Sequence, residues 1–326
     1  MSTVGLVLGA GGVVGQAYHA GVLAALEHDC GWDPRTADVV VGTSAGSITG
    51  TLLRVGVPAS ELAAWVVQAP LSDEGMVLQD MLGSEIPVFE PFRVLPILRR
   101  LPDPPGREML QRAVIRPWSF RPMAAALALL APGRFDIAEQ LGMLREVEGK
   151  SWPEKDLWIC AVRRRDGRRV VFGRPGSPAA PLHLAIAASC AVPGYFAPVT
   201  IDEHTYVDGG AHSPTNAAIL REKALDLVIV VSPMSGPANL PTDLYSLSRG
   251  HAARVARREA RALRDSGTAV IVFRPGRAEL QAMGNDFMAR DRVDQIVQES
   301  FLGAGSYAAQ PEMRALLTHF GLQRRP

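Results

Sequence analysis

The chain has 326 residues, 47% of them apolar and 21% charged, with a formal net charge of +1. Those values describe an ordinary soluble globular protein with enough chain for a sizeable core, in one or two domains. A balance so close to zero offers no whole-protein electrostatic case for nucleic acid, and no nucleic-acid partner is expected.

In chain order, Val4–Leu8 reads as a strand, and Gly15–Glu27 as a helix with Leu23 and Leu26 inward. Asp38–Val41 is a short apolar strand of the buried parallel type, and it runs into Gly42-Thr43-Ser44-Ala45-Gly46. A helix over Ile48–Val55 is stopped by Gly56 and Pro58. The stretch from about 70 to 152 differs in character. It opens acidic, turns proline- and arginine-rich around Leu95–Pro122, and contains the apolar run Met123–Leu130. It is expected to form a helical insertion or cap. Leu157–Val162 and Val170–Phe172 then flank Asp166-Gly167 as a hairpin, and Leu225–Val231 and Ala269–Phe273 are further strands. From about 277 the chain reads as helical, polar and peripheral. Strands alternating with helices imply an α/β fold around a mostly parallel sheet with helices on both faces.

The glycines of Gly5–Glu27 admit two chemistries. Backbone N–H groups at a helix N-terminus attract any anion, so they suit a dinucleotide pyrophosphate or an oxyanion of acyl transfer equally. A dinucleotide fingerprint would place a third glycine at Val14, whereas Gly15 comes one residue late. It would also place an acidic residue at the end of the second strand. There the chain has G-x-S-x-G instead, which presents Ser44 on a sharp strand-to-helix turn with small neighbours, at the positive end of the following helix.

A serine nucleophile needs a base. None of the seven histidines (19, 28, 183, 204, 212, 251 and 319) has a local setting that marks it as catalytic. Ser44 also follows only the second strand, earlier than the elbow of an α/β-hydrolase. Tyr206-Val207-Asp208-Gly209-Gly210 offers a better partner, an aspartate ending a short strand and followed by two glycines.

These residues carry a resemblance. The chain is similar to the patatin-like phospholipases, lipid acyl hydrolases that use a serine–aspartate dyad. Four pieces match in order: Gly9–Gly15, Gly42–Gly46, the run Ala188–Pro198, and Asp208-Gly209-Gly210. The resemblance implies a three-layer patatin-like fold in a single domain over 1–326. It implies Ser44 as nucleophile, Asp208 as base, and the N–H groups of Gly11, Gly12 and Val13 as oxyanion donors. It requires no cofactor and no metal, and its substrate is a lipid or other acyl ester. One position departs from the family: Val14 stands where an arginine or lysine is usual.

The remaining signals concern surroundings. Cys30, Cys160 and Cys190 are odd in number and widely spaced, which fits a reducing compartment. Met1-Ser2-Thr3 carries no basic side chain and Leu6–Leu8 ends at Gly9, so no signal peptide is read and a cytoplasmic location is expected. Met123–Ala131 falls far short of the roughly 20 residues that span a bilayer. Arg254, Arg257, Arg258, Arg261 and Arg264 follow helical spacing and read as a solvated face. Phe92–Arg134 holds eight arginines against Asp103 and Glu108, a local net charge of +6 interleaved with apolar residues, which suits peripheral contact with a membrane. Two other functions stay open from sequence alone: a non-catalytic lipid-binding or regulatory protein, and a dinucleotide-dependent oxidoreductase.

Overall fold

A computed structural model describes residues 2–76, 111, 114–115, 132–137, 151–236 and 244–322. Most of the expected cap, including nearly all of the arginine-rich Phe92–Arg134, lies outside the described residues.

The elements in chain order are β1 (Val4–Leu8), α1 (Gly12–Cys30), β2 (Val39–Thr43), α2 (Ala45–Arg54), α3 (Ala59–Val66), β3 (Asp156–Arg163), β4 (Arg168–Phe172), α4 (Leu182–Cys190), β5 (Val199–Ile201), β6 (His204–Asp208), β7 (Leu227–Val231), α5 (Leu244–Arg264), β8 (Ala269–Phe273), α6 (Arg277–Met283), α7 (Val293–Ala308) and α8 (Pro311–His319). β8, β7, β1, β2 and β3 lie side by side and parallel, while β4, β5 and β6 add antiparallel pairs beyond β3. The sheet is mixed and mostly parallel, as the alternation of strands and helices requires.

The central strands are continuous apolar runs because both faces are covered. All five residues of β1 and of β7 are buried. On one face Leu6, Leu8 and Ile229 pack against α1, α2, α4 and α7 in the larger core cluster. On the other face Val7, Val228 and Val230 pack against α5 and the 3₁₀ turn Ala217–Lys223. α5 is amphipathic: Ala252, Val255, Ala256, Ala260 and Leu263 are buried, while Arg254, Arg257, Arg258, Arg261 and Arg264 are exposed. α7 lays Ile296, Val297, Ser300 and Ala304 inward, in the same cluster as α1.

One feature of the register positions the site. β2 pairs with the first part of β3, ending at Thr43 opposite Cys160, and β6 pairs with the last part, starting with Asp208 opposite Ala161. β4 occupies the other side of β3 through Ile159–Arg163. β2 and β6 therefore meet end on along a single side of β3. The residue after one strand end is Ser44, and the residue at the other is Asp208.

Candidate active site

Ser44 occupies the turn between β2 and α2 with φ 54 and ψ −124. That backbone is rare for a residue with a side chain, and such strain persists only where surrounding contacts enforce it. Here both backbone groups of Ser44 are held. Its N–H donates to Ser189 Oγ at 2.9 Å, and its carbonyl accepts from the Ser47 N–H and the Ser47 hydroxyl, each at 2.7 Å. Gly46 makes the turn sterically possible, because a Cβ there would overlap the Leu8 carbonyl. The outcome is a serine at the N-terminus of a ten-residue helix, where the helix dipole favours developing negative charge.

Asp208 closes the other side. Its N–H donates to the Ala191 carbonyl at 2.9 Å, and its Oδ1 accepts from the Gly210 N–H at 2.7 Å. The Ser44 side chain lies near enough to the same carboxylate to hold its pKa down. Burial dominates its electrostatics. Desolvation pushes the Asp208 carboxyl up to about 6, against the opposing pull of Ser44 and Gly210. A carboxylate at ordinary acidity is a weak base, and this shift brings Asp208 towards the range useful for general-base work near neutral pH. The thiol of Cys190 on α4, also beside Asp208, is held protonated by burial and by that negative charge.

Gly11 precedes α1, and Gly12 and Val13 form its first turn, so their N–H groups lie at the helix N-terminus, where no preceding carbonyl can take them. The loop borders the Asp208 turn: a Cβ on Gly210 would lie 3.3 Å from the Ala10 Cβ and 3.0 Å from Asp208 Oδ1. Gly12 has φ +63, and a Cβ on it would fall 2.5 Å from the Phe287 carbonyl oxygen. That carbonyl accepts the Val14 N–H at 3.2 Å, so Val14 is withdrawn from the set of available donors. The Val14 side chain is fully buried and borders a cavity of about 280 Å³, also lined by Ala282, Met283, Asp286, Asp291 and Arg292. Among the described residues, no group of three or more histidine, cysteine, aspartate or glutamate side chains is placed to hold a metal ion.

Two side chains at the site escape sequence reasoning. Ser189 is fully buried and relays the elbow to the sheet, accepting from the Ser44 N–H and donating to the Cys160 carbonyl at 2.7 Å. It sits inside the matched run Ala188–Pro198, so the motif was visible but its hydrogen bonds were not. His19, fully buried on α1, has its Nδ1 3.4 Å from the Thr49 hydroxyl of α2, while its Nε2 is buried without a hydrogen-bond partner among the described residues. Burial pushes its imidazole down to about 3, so it packs against the elbow helix as a neutral group. The chain also returns to this edge from the inserted stretch, as Gly133 donates to the Phe196 carbonyl and Ala197 to that of Phe135.

Fold and site describe a layered α/β protein with a serine turn at the C-terminal edge of its parallel strands, facing a buried carboxylate. The chain belongs to the patatin-like phospholipase family, whose model matches residues 6–221. Membership supports hydrolysis of lipid esters as the general activity. Among solved structures, the chain is similar to VipD from Legionella pneumophila, with 13% identity and a TM-score of 0.40 over 94% of this chain and 67% of that one. It is also similar to a structure of the ExoU–SpcU complex from the type III secretion system of Pseudomonas aeruginosa, with 19% identity and a TM-score of 0.29 over 100% of this chain and 64% of that one. The chain thus spans about two thirds of the length of either neighbour. At these scores the likeness adds nothing to the family assignment.

Proposed function

We propose that this protein hydrolyses carboxylic esters of lipids through an acyl-enzyme on Ser44, with Asp208 as general base and the N–H groups of Gly11, Gly12 and Val13 as oxyanion donors. The observation that carries the reading is that a serine at a strained turn and a buried carboxylate meet where β2 and β6 abut along β3. As Ser44 Oγ attacks the ester carbonyl, its proton passes to Asp208 and the carbonyl oxygen becomes an oxyanion. Collapse expels the alcohol, which takes the proton from Asp208. Water then attacks the acyl-enzyme, with Asp208 accepting its proton, and free acid leaves as Ser44 is reprotonated. Each oxyanion donor would lower the barrier by about 3 kcal/mol.

The test is Ser44→Ala with a panel of p-nitrophenyl esters, lysophospholipids and phospholipids. Hydrolysis should vanish with the fold intact, and a fluorophosphonate probe should label the parent protein at Ser44 alone. Retained turnover in Ser44→Ala would sink the mechanism, and an unlabelled parent would favour a non-catalytic lipid binder.

The reading extends to peripheral contact with an anionic lipid surface through the +6 stretch Phe92–Arg134. Val114 and Ile115, the described apolar residues within it, are 83% and 70% exposed. No helix among the described residues is long and apolar enough to cross a membrane. Vesicle co-sedimentation should favour anionic over zwitterionic lipid and weaken with salt. Binding indifferent to both would leave these arginines a solvated face.

A further inference from the structure

β2 and β6 are not paired with each other. They share only β3, and beyond it each chain turns away, one into α2 and the other into the 3₁₀ turn Gly209–Ala211. Register along β3 brings Ser44 and Asp208 together, and the two turns that leave its edge are fixed by contacts beyond the ladder.

A single buried side chain bridges the two turns. Asn216 has no exposed surface, and its Nδ2 donates to Thr43 Oγ1 at 3.1 Å, to the Ser213 carbonyl at 2.7 Å and to the Gly209 carbonyl at 3.4 Å. Thr43 immediately precedes Ser44, and Gly209 immediately follows Asp208. The Asn216 Oδ1 accepts from Arg169 Nη1 of β4 at 3.3 Å, and its backbone N–H donates to Ser213 Oγ at 2.9 Å. The backbone at Asn216 is left-handed, φ 53, which asparagine tolerates better than most residues with a side chain. Its flanks are fixed from the opposite layer. Glu259 Oε2 of α5, itself buried, accepts from the Thr215 hydroxyl and, at 2.9 Å, from the Ala217 N–H.

We propose that Asn216 is a positioning residue of the ester-hydrolysing site, its side-chain amide clamping the residue before Ser44 to the residue after Asp208, with Glu259 holding the clamp in place. The inference rests on the dyad reading above. A satisfied buried polar network of this kind fixes one arrangement where an apolar filler would allow several. A misplacement of about 1 Å at reacting groups can cost on the order of 100-fold in rate. Loosening the clamp should move the Ser44 hydroxyl away from Asp208. That hydroxyl holds the Asp208 carboxyl down, so its withdrawal lets the carboxyl rise further. The other groups that face it, the Gly210 N–H of its own turn and the protonated Cys190 thiol of α4, do not titrate in that range.

The experiment measures the rate of fluorophosphonate labelling at Ser44 against pH in the full chain. It compares the parent with Asn216→Asp, Thr43→Val and Glu259→Gln, and records melting temperatures alongside. Asn216→Asp keeps size and backbone tolerance but replaces the donors, and Thr43→Val removes only the bridging hydroxyl. Both should label about tenfold to a hundredfold more slowly, with the acid limb moved to higher pH. Glu259→Gln keeps an accepting oxygen but gives up the charge that holds Thr215 and Ala217, so labelling should slow, by less than in either variant above. A structural role alone would reduce the labelled fraction without moving the limb, and that result would overturn the proposal, as would parent-like rates and limbs in both variants. If Asn216→Asp does not fold, the limb shift in Thr43→Val decides. A parent that does not label at Ser44 would overturn the dyad reading itself and the clamp with it.

Discussion

The two walls of the site are built by different means. Ser44 and Asp208 stand where β2 and β6 abut along β3, held by Ser189 and Asn216, and all of these residues fall within the segment matched to the family, 6–221. The glycine wall is backed from outside that segment. Phe287 gives its carbonyl to the Val14 N–H, and the Met288 sulfur would lie 3.1 Å from a Cβ on Gly12. Pro233 packs against Gly11 and Gly15, while Arg249 donates to the Pro233 carbonyl at 3.0 Å and sits 5.3 Å from the Phe287 ring centroid. The proposed reacting pair thus rests on sheet register, and the proposed donor loop on packing supplied by the C-terminal third of the chain. The first arrangement bears on which reaction is possible, and the second on how well it is tuned.

The largest effect should come from breaking the dyad wall at its base. Asp208→Asn removes the proposed proton acceptor and should lower kcat by about 10²- to 10⁴-fold. The same change should stabilise the fold above neutrality. Asp208 is raised from 3.8 to about 6 on folding, so the penalty for its burial is absent below pH 3.8, grows as pH rises, and is complete above pH 6. A shift of that size corresponds to at most about 3 kcal/mol. Thermal melts should place Asp208→Asn above the parent at pH 7.5 and level with it near pH 3.5. A variant less stable at pH 7.5 would contradict the desolvation account.

His19 carries the opposite sign. Its imidazole is lowered from 6.5 to about 3, so it contributes stability that is present above pH 6.5 and is lost as pH falls towards 3. Between pH 4 and 6 the two groups oppose each other, and Asp208→Asn should therefore show a steeper acid loss of stability than the parent. The acid limb of kcat/KM should lie near 6, where an unperturbed imidazole also titrates, so its position alone does not distinguish a carboxylate base from a histidine. Replacing each histidine in turn does. All seven variants should retain the limb, and one as inactive as Ser44→Ala would turn the dyad into a triad.

The donor wall should respond differently. Gly12→Ala forces a side chain into φ +63 and a methyl against the Phe287 carbonyl. Catalysis should fall by about tenfold to a hundredfold as the donors move, a smaller loss than removing one outright. The strain should cost about 1–3 kcal/mol of stability. Because Ser44 and Asp208 are untouched, the acid limb should not move. A shifted limb in Gly12→Ala would mean that the two walls are mechanically coupled, and the division between them would fail.

Legibility in the sequence follows the same division. Apolar runs such as Val228–Val231 and the turn Gly42–Gly46 are local signals, and they pointed to the strands, the serine turn and, with Asp208-Gly209-Gly210, the proposed partner aspartate. The placement of Ser44 beside Asp208 depends on a register between strands more than a hundred residues apart, which no local pattern encodes. Asn216 and Ser189 act through hydrogen bonds that a lone asparagine or serine does not announce. The backing of the donor loop was hidden for a further reason. Phe287 contributes its backbone carbonyl, a group every residue carries, from a stretch whose composition reads as polar and peripheral.

The smallest expected effect lies at Val14, where the chain departs from its family. Val14→Arg restores the usual cation at a fully buried position, which in a packed core would cost several kcal/mol. Here the side chain borders a partly open cavity of about 280 Å³ lined by Asp286 and Asp291, so the guanidinium has room, solvent and carboxylates nearby. The bond from the residue 14 N–H to the Phe287 carbonyl is a backbone contact and survives the change. Melting should fall by only a few degrees, and kcat on a small soluble ester should change less than threefold. Val14→Met, similar in reach without the charge, serves as the control. If Val14→Arg altered kcat more than tenfold while Val14→Met stayed silent, the charge itself would act on the donor loop. The packing from Phe287 and Met288 would then be a weaker substitute for the family's cation rather than a sufficient support.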